Sequence, residues 1–301
     1  GAAIKLKKNS YPPIKIKGSG NAIPLTFNIL IPSAQIKSAI MLSALNTNGT
    51  VKIKELKSTR DHTENMLKSM GYNLKVKENI KHRYIEMKND KELKAINYKV
   101  PGDPSSAAFL ITAACLKPGS KLIVKNILLN KTRIGFIKTL KSMGGNIKLI
   151  KKKKIHNELI ADLKVEQLNF LKSTTLKSSE VPQQIDEIPI LSIAASFANG
   201  LTIFKGLREL TVKESNRLLL INKNLKKIGV KSIIKKYDLY IYGNNFLKEG
   251  GAAIRHDDDH RILMSFYMAN MICKKNNIIK DKSCVKTSYP TFFKDISQLT
   301  N

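Results

Sequence analysis

Apolar and polar positions along the chain follow two periods, one helical and one alternating, and these succeed one another in the same order three times. Each round opens with a run of small apolar residues of helical length, then an NG or PG turn, then a β-branched strand. A polar loop, an amphipathic helix ending in glycine and another strand complete it. The three stretches are PSAQIKSAIMLSALNTNGTVKIKELKSTRDHTENMLKSMGYNLKV, PGDPSSAAFLITAACLKPGSKLIVKNILLNKTRIGFIKTLKSMGGNIKLI and QQIDEIPILSIAASFANGLTIFKGLRELTVKESNRLLLINKNLKKIGVKSII, and a partial fourth copy starts at HRILMSFYMANMI. In the third copy Leu218, Ile221, Leu225 and Ile228 recur at helical spacing, and Gly229 stands where a left-handed cap is needed. In the first copy Asp61 and Glu64 have the spacing of a capping box. Repeats of this size are supersecondary units that bury their faces against one another. The text turns polar between Lys88 and Asp103, which places a domain crossing near residues 98–102, with a first domain over 1–99 and a second over 100–301.

Composition narrows the class. With 301 residues, 42% hydrophobic and 25% charged, the chain is neither disordered nor a disulfide-stapled mini-protein. Its 53 basic against 23 acidic residues give a formal net charge of +30, which invites a nucleic-acid or anionic-membrane reading. Only Arg60, Arg83, Arg133, Arg208, Arg217, Arg255 and Arg261 are arginines, however, and the text is crowded with lysine, isoleucine and asparagine. That pattern reads as A+T-rich coding at exposed positions, where lysine is tolerated. Cys115, Cys273 and Cys284 are odd in number and far apart, so neither a disulfide framework nor a zinc ribbon is indicated, and a reducing cytoplasm fits. The most apolar stretch, residues 107–116, is about half the length needed to cross a bilayer, and no secretory signal opens the chain, so a soluble protein is expected. The chain starts at Gly1 and runs directly into strand-like text (AAIKLKK), from which a missing upstream segment is expected.

Four constellations could carry chemistry. Ile31-Pro32-Ser33-Ala34-Gln35 opens a helix, where free N–H groups, a hydroxyl and an amide suit a phosphate, although Ser33 also reads as a plain N-cap. In Lys213-Glu214-Ser215-Asn216-Arg217 a lysine and an arginine four apart would share one helix face with a carboxylate beside them, or else form a solvated charged first turn. The run His256-Asp257-Asp258-Asp259-His260-Arg261 looks like a metal cluster, but consecutive acids on a loop point in different directions, and an anion site on His260 and Arg261 is the better reading. Asp186-Glu187 precedes an apolar helix, where a carboxylate can be only a cap. The KKKK run at 151–154 has no interleaved aromatics and reads as a solvated loop.

The strings PSAQIKSA, TRDHTE, VPGDPSSAAF, IDEIPIL, VKESNRL, DHRILMSF and TSYPTFF stand in an order and spacing that resemble the 3-phosphoshikimate 1-carboxyvinyltransferase (enolpyruvylshikimate-phosphate synthase) family over essentially all 301 residues. The resemblance implies an α/β (α+β) protein with the two-domain enolpyruvyl transferase architecture of repeated βαβαββ units. It further implies a first domain lacking about 130 residues at its start, by the usual position of these motifs in the repeat. By resemblance Ser33, Ala34, Gln35 and Arg60 would hold shikimate 3-phosphate, with Gln35 also touching phosphoenolpyruvate. Asp186 would take the proton of the attacking 5-hydroxyl, Lys213 would hydrogen-bond the shikimate hydroxyls, and Glu214 would protonate the enolpyruvyl methylene. Arg217, His260 and Arg261 would clamp phosphoenolpyruvate. The implied reaction belongs to chorismate and aromatic amino-acid biosynthesis and uses no metal and no organic cofactor; the complete enzyme would be a cytoplasmic monomer, with no specific nucleic-acid or membrane partner.

The sequence departs from the family pattern in two places. Lys286 is displaced by one residue from a lysine that some members carry, and Asn216 replaces an acid at the helix start. Two other classes compete: a UDP-sugar enolpyruvyl transferase, whose cysteine-bearing loop is not found here, and a basic nucleic-acid-binding protein, for which no aromatic-basic stripe is present.

Overall fold

The computed structural model describes residues 1–301 apart from 9, 21, 57–58, 89–91 and 301, so part of the polar stretch from Lys88 lies outside the described residues. It divides into two compact units, Gly1–Lys99 with Lys154–Glu158, and Val100–Lys153 with Leu159–Asn301.

The first unit opens with an antiparallel hairpin, β1 (Ala3–Lys7) and β2 (Tyr11–Lys17). Then follow β3 (Thr26–Ile29), α1 (Ala34–Ala44), β4 (Thr50–Glu55), α2 (His62–Ser69), β5 (Leu74–Glu78) and β6 (Arg83–Lys88). Their sheet order is β3-β4-β6-β5, with β3 parallel to β4 and the other pairs antiparallel. That is one βαβαββ unit. The period-two text of β4 and β6 puts Val51, Ile53, Ile85 and Met87 on one face, and Met41, Ala44 and Leu67 of the two helices close over them.

In the second unit α3 (Pro104–Leu116), β7 (Lys121–Leu128), α4 (Gly135–Ser142), β8 (Asn146–Ile155) and β9 (Glu158–Glu166) come first. The sheet order is β7-β9-β8, and the missing leading strand is reduced to one parallel bridge, Gly102 to Ile127. Next come β10 (Thr175–Leu176), α5 (Ile188–Phe197), β11 (Gly200–Phe204), α6 (Arg217–Lys227), β12 (Lys231–Lys235) and β13 (Asp238–Gly243), ordered β10-β11-β13-β12. This repeats the connectivity of the first unit strand for strand. β14 (Lys248–Gly250), α7 (His260–Ala269), β15 (Cys273–Lys275) and α8 (Phe292–Thr300) form the partial copy. One apolar core runs through this unit; α5 is buried all round, which is why its text lacks a polar stripe. Phe292 of α8 anchors the C-terminal segment edge-on against Phe109, Tyr267 and Tyr289.

Two glycines have defined backbone reasons. Gly229 adopts φ +87° after α6, the left-handed conformation expected of it, and Leu218, Ile221, Leu225 and Ile228 are all buried. A Cβ on Gly243 would lie 2.2 Å from the carbonyl oxygens of Ala195 and Ala198, so β13 can pass the end of α5 only as glycine. Two sequence expectations fail. Asp61 stands at the N-cap of α2 but makes no side-chain cap, and Glu64 is buried, turned inward onto Lys37 at 2.9 Å and Arg83 at 3.5 Å. A buried cation claims the carboxylate more strongly than a backbone N–H does. The lysines at 151–154 are strand, not loop: they lie along β8, an edge strand, where exposed lysine blocks further pairing.

Candidate active site

In the second unit the chain reaches α5 through a 3-10 turn, Ile185–Glu187, that carries Asp186; Pro189 sits in the first turn of the helix, where its missing N–H costs nothing. α6 begins only at Arg217, after a 3-10 turn (Arg208–Val212) and four residues outside any helix. Lys213 and Arg217 therefore do not share a helix face, contrary to the spacing argument. Asn216 is the N-cap, its side-chain oxygen accepting the Leu219 N–H at 3.1 Å, which accounts for a short polar residue there.

Arg217 is the hub. Its side chain is completely buried, and its nitrogens reach three carboxylates: Nε to Asp259 Oδ2 at 2.7 Å, Nη1 to Asp186 Oδ1 at 3.3 Å and Nη2 to Glu214 Oε2 at 2.6 Å. A planar fork presents three separate nitrogens to three acceptors around its edge, where a lysine presents one. Asp259 is wholly buried and divided in function. Its Oδ2 takes Arg217 and the Ser215 hydroxyl at 2.9 Å, while Oδ1 caps α7 through the N–H groups of Arg261 at 3.0 Å and Ile262 at 3.3 Å. Burial pushes this carboxyl up, but the Arg217 guanidinium, Ser215 and the helix N–H groups together hold it below the usual carboxylate range. Glu214 is 54% exposed and Asp186 17%, so the two carboxylates on the outer nitrogens are those that solvent or a ligand can reach.

Arg261 projects from the first turn of α7, half-buried, and its Nη1 donates to the Asp186 carbonyl oxygen at 3.4 Å. His260 precedes it, half-buried, with its imidazole held below the ordinary range by burial and then by the charges of Arg261 and Arg217. Lys213 donates to Glu209 at 2.9 Å and stands apart from the Arg217 contacts. The HDDDH residues face separate partners: His256 Nε2 donates to the Lys280 carbonyl at 3.0 Å, Asp257 pairs with Arg255 at 2.6 Å and Asp259 faces Arg217.

In the first unit Ser33 is the N-cap of α1, its Oγ accepting the Ile36 N–H at 3.3 Å; Ser33 and Ala34 are half-buried, and Gln35 is exposed. Arg60 lies half-buried just before α2. Beneath α1 the fully buried Lys37 bridges Glu55 at 3.0 Å and Glu64 at 2.9 Å. No motif pointed to that network, because a lysine in a lysine-rich chain carries no signal. The one group of described residues with donor atoms spaced for a cation is Asp61, His62 and Glu158. There His62 Nδ1 lies 2.7 Å from Glu158 Oε1, and Asn65 donates to the same oxygen at 3.1 Å.

Sequence reading also passed over Asp103, Ser105 and Arg133, and took Glu187 only as a carboxylate ahead of α5. Arg133 Nη2 donates to Asp103 Oδ1 at 2.7 Å and to Ser105 Oγ at 2.8 Å, and Ser105 in turn meets Glu187 at 2.5 Å. The Asp-Pro helix start in VPGDPSS was the available sign, since it fixes Asp103 as an N-cap, which accepts the Ser106 N–H at 2.8 Å.

Comparison with known proteins shows the family of the chain. Residues 1–296 match the family described as EPSP synthase (3-phosphoshikimate 1-carboxyvinyltransferase). A 3-phosphoshikimate 1-carboxyvinyltransferase from Zymomonas mobilis is 42% identical over 296 residues, covering 97% of this chain and 65% of that protein. One from Clostridium tetani is 38% identical over 302 residues, covering 99% of this chain and 67% of that protein. The solved EPSP synthase of Acinetobacter baumannii superposes with a TM-score of 0.91 at 33% identity, covering 99% of this chain and 68% of that one. The chain thus spans about two thirds of the length of the relatives it matches, and it belongs to the EPSP synthase family.

Proposed function

We propose that this chain serves the transfer of the enolpyruvyl group of phosphoenolpyruvate to the 5-hydroxyl of shikimate 3-phosphate, with release of phosphate. The observation that carries the reading is the buried Arg217, which holds Asp186 and Glu214 on its two outer nitrogens. The chemistry needs a base for the hydroxyl and an acid for the methylene carbon, set beside cations that bind two polyanions. Asp186 takes the hydroxyl proton as the oxygen bonds to C2 of phosphoenolpyruvate, and C3 receives a proton from Glu214. In the elimination the C2–O bond to phosphate breaks, C3 returns a proton to Glu214 and the double bond re-forms. Glu214 accepts from Arg217 through Oε2 at 2.6 Å, which leaves Oε1 to carry the proton exchanged with C3, and the side chain is exposed enough to turn toward it.

Arg261 holds the carboxylate and phosphate of phosphoenolpyruvate, joined by Arg217 once Asp186 and Glu214 turn off its outer nitrogens, with His260 as a further partner. Lys213 addresses the shikimate hydroxyls. Ser33, Ala34, Gln35 and Arg60 of the first unit hold shikimate 3-phosphate, Gln35 also touching phosphoenolpyruvate. Family membership supports this reading over a UDP-sugar transferase or a nucleic-acid-binding protein. A cytoplasmic, monomeric enzyme is part of the same proposal; among the described residues no helix is long and apolar enough to cross a membrane.

Phosphorus NMR of both substrates with the chain, alone and supplemented with the remaining third of a relative, tests it. Perturbed substrate phosphate resonances, and inorganic phosphate appearing together with new vinyl protons in the supplemented sample, are expected. Unperturbed resonances in both samples would contradict the reading.

A further inference from the structure

Glu187 takes no part in the chemistry above, yet it adjoins Asp186 in the chain and is only 3% exposed. Its Oε1 lies 2.5 Å from the Ser105 hydroxyl. Arg133 donates to Ser105 Oγ at 2.8 Å, and Ser105 donates its hydroxyl proton to the ionised Glu187. Arg133 is in turn held by Asp103 at 2.7 Å. A relay of hydrogen bonds thus runs from the start of α3 to the turn that carries Asp186. Arg261 from α7 reaches the peptide that joins Asp186 to Glu187, its Nη1 lying 3.4 Å from the Asp186 carbonyl oxygen, and with Arg133 from the loop before α4 and Asp186 it makes up the charge around Glu187. Burial pushes the Glu187 carboxyl up to about 7, the Asp186 charge adds to the rise, and the Ser105 hydrogen bond with the Arg261 and Arg133 charges opposes it.

We propose that Glu187 is a positioning residue for the anion site, competing with an incoming anion for the charge of Arg261, so that a proton is taken up at Glu187 when the anion binds. The proposal rests on the reading that phosphoenolpyruvate binds at Arg217 and Arg261. An ionised Glu187 partly neutralises Arg261, whereas a neutral one leaves that charge to the ligand and still accepts the Ser105 hydrogen bond through its carbonyl oxygen. Binding and protonation at neighbouring sites must favour each other reciprocally. Anion affinity therefore rises as the pH falls through the range where Glu187 titrates.

The test is titration calorimetry of phosphoenolpyruvate into the full chain, wild type and Glu187→Gln, at about pH 6 and about pH 8 in buffers of different ionisation enthalpy. The ligand's own titration is common to both proteins. Wild type should take up more protons than the glutamine variant, and its affinity should fall by up to about 10-fold more between the two pH values. Ser105→Ala removes a group that lowers the Glu187 value, so it should move the midpoint of proton uptake to higher pH; this variant decides the matter if Glu187→Gln does not fold. Equal proton uptake in wild type and Glu187→Gln, or an unmoved midpoint in Ser105→Ala, overturns this inference and leaves the anion site standing. No binding to wild type at either pH overturns both.

Discussion

Replacing Asp259 by Asn or by Ala separates two things that one carboxylate does at once. Oδ1 caps α7, and Oδ2 answers the fully buried Arg217. Asparagine keeps one acceptor oxygen, enough for the cap or for Arg217 but not both, and turns an N–H donor toward whichever it abandons. Removing one partner of a buried pair costs about 3–5 kcal/mol. The lower end applies to Asp259→Asn, about 3 kcal/mol, because Asp186 and Glu214 still face the guanidinium, although both are partly exposed and screened. Asp259→Ala loses the cap as well, adding about 1 kcal/mol. Urea unfolding of the chain followed by far-UV circular dichroism measures both. The carboxyl is held below its usual range, so its contribution is complete above about pH 4 and lost as the pH falls through its folded value. The gap between wild type and Asp259→Asn should therefore shrink in acid. If both variants unfold within about 1 kcal/mol of wild type at neutral pH, the buried hub is not what holds α6 and α7 together.

Two further outcomes follow from named contacts. Arg217→Lys replaces a three-way fork by one point charge and should weaken phosphoenolpyruvate binding by about 1–3 kcal/mol in calorimetry; unchanged affinity would remove Arg217 from the site. Lys37→Met leaves Glu55 and Glu64 beneath α1 with Arg83 at 4.0 and 3.5 Å and with the Thr59 hydroxyl on Glu55, and should cost about 3 kcal/mol in urea unfolding, whereas a neutral result would show that these partners suffice.

The repeat was legible because it is written in periodicity: the same order of small-residue helix, strand and glycine-capped helix yields the shared strand order of β3-β4-β6-β5 and β10-β11-β13-β12. Glycine caps and short polar N-caps such as Ser33 were legible for the same local reason. Glu64 was misread because the capping-box rule sees only spacing, and the cation that captures the side chain comes from a helix 27 positions earlier in the chain, at Lys37. Asp259 was hidden inside HDDDH, where three identical acids differ only in what the fold brings to them from α6. Likewise the pairing of Ser105 with Glu187 spans 82 positions, a distance over which no sequence pattern operates. Lys213 and Arg217 were placed on one helix because their spacing allows it; the extended backbone of Lys213 shows that the helix starts later.

The central claim is that Glu214 moves a proton to and from C3 of phosphoenolpyruvate. Protonation makes C3 a methyl group, and elimination returns one of its three hydrogens, so solvent deuterium must enter the vinyl group of the product. Proton NMR of the reaction in D2O, run with the chain and the remaining third of a relative, reads this directly. Deuterium at C3 is expected with wild type and, with Glu214→Gln, incorporation and turnover both reduced by about 100-fold or more while calorimetry still shows both substrates bound. Incorporation at the wild-type rate by Glu214→Gln, or turnover by wild type without any incorporation, would contradict it.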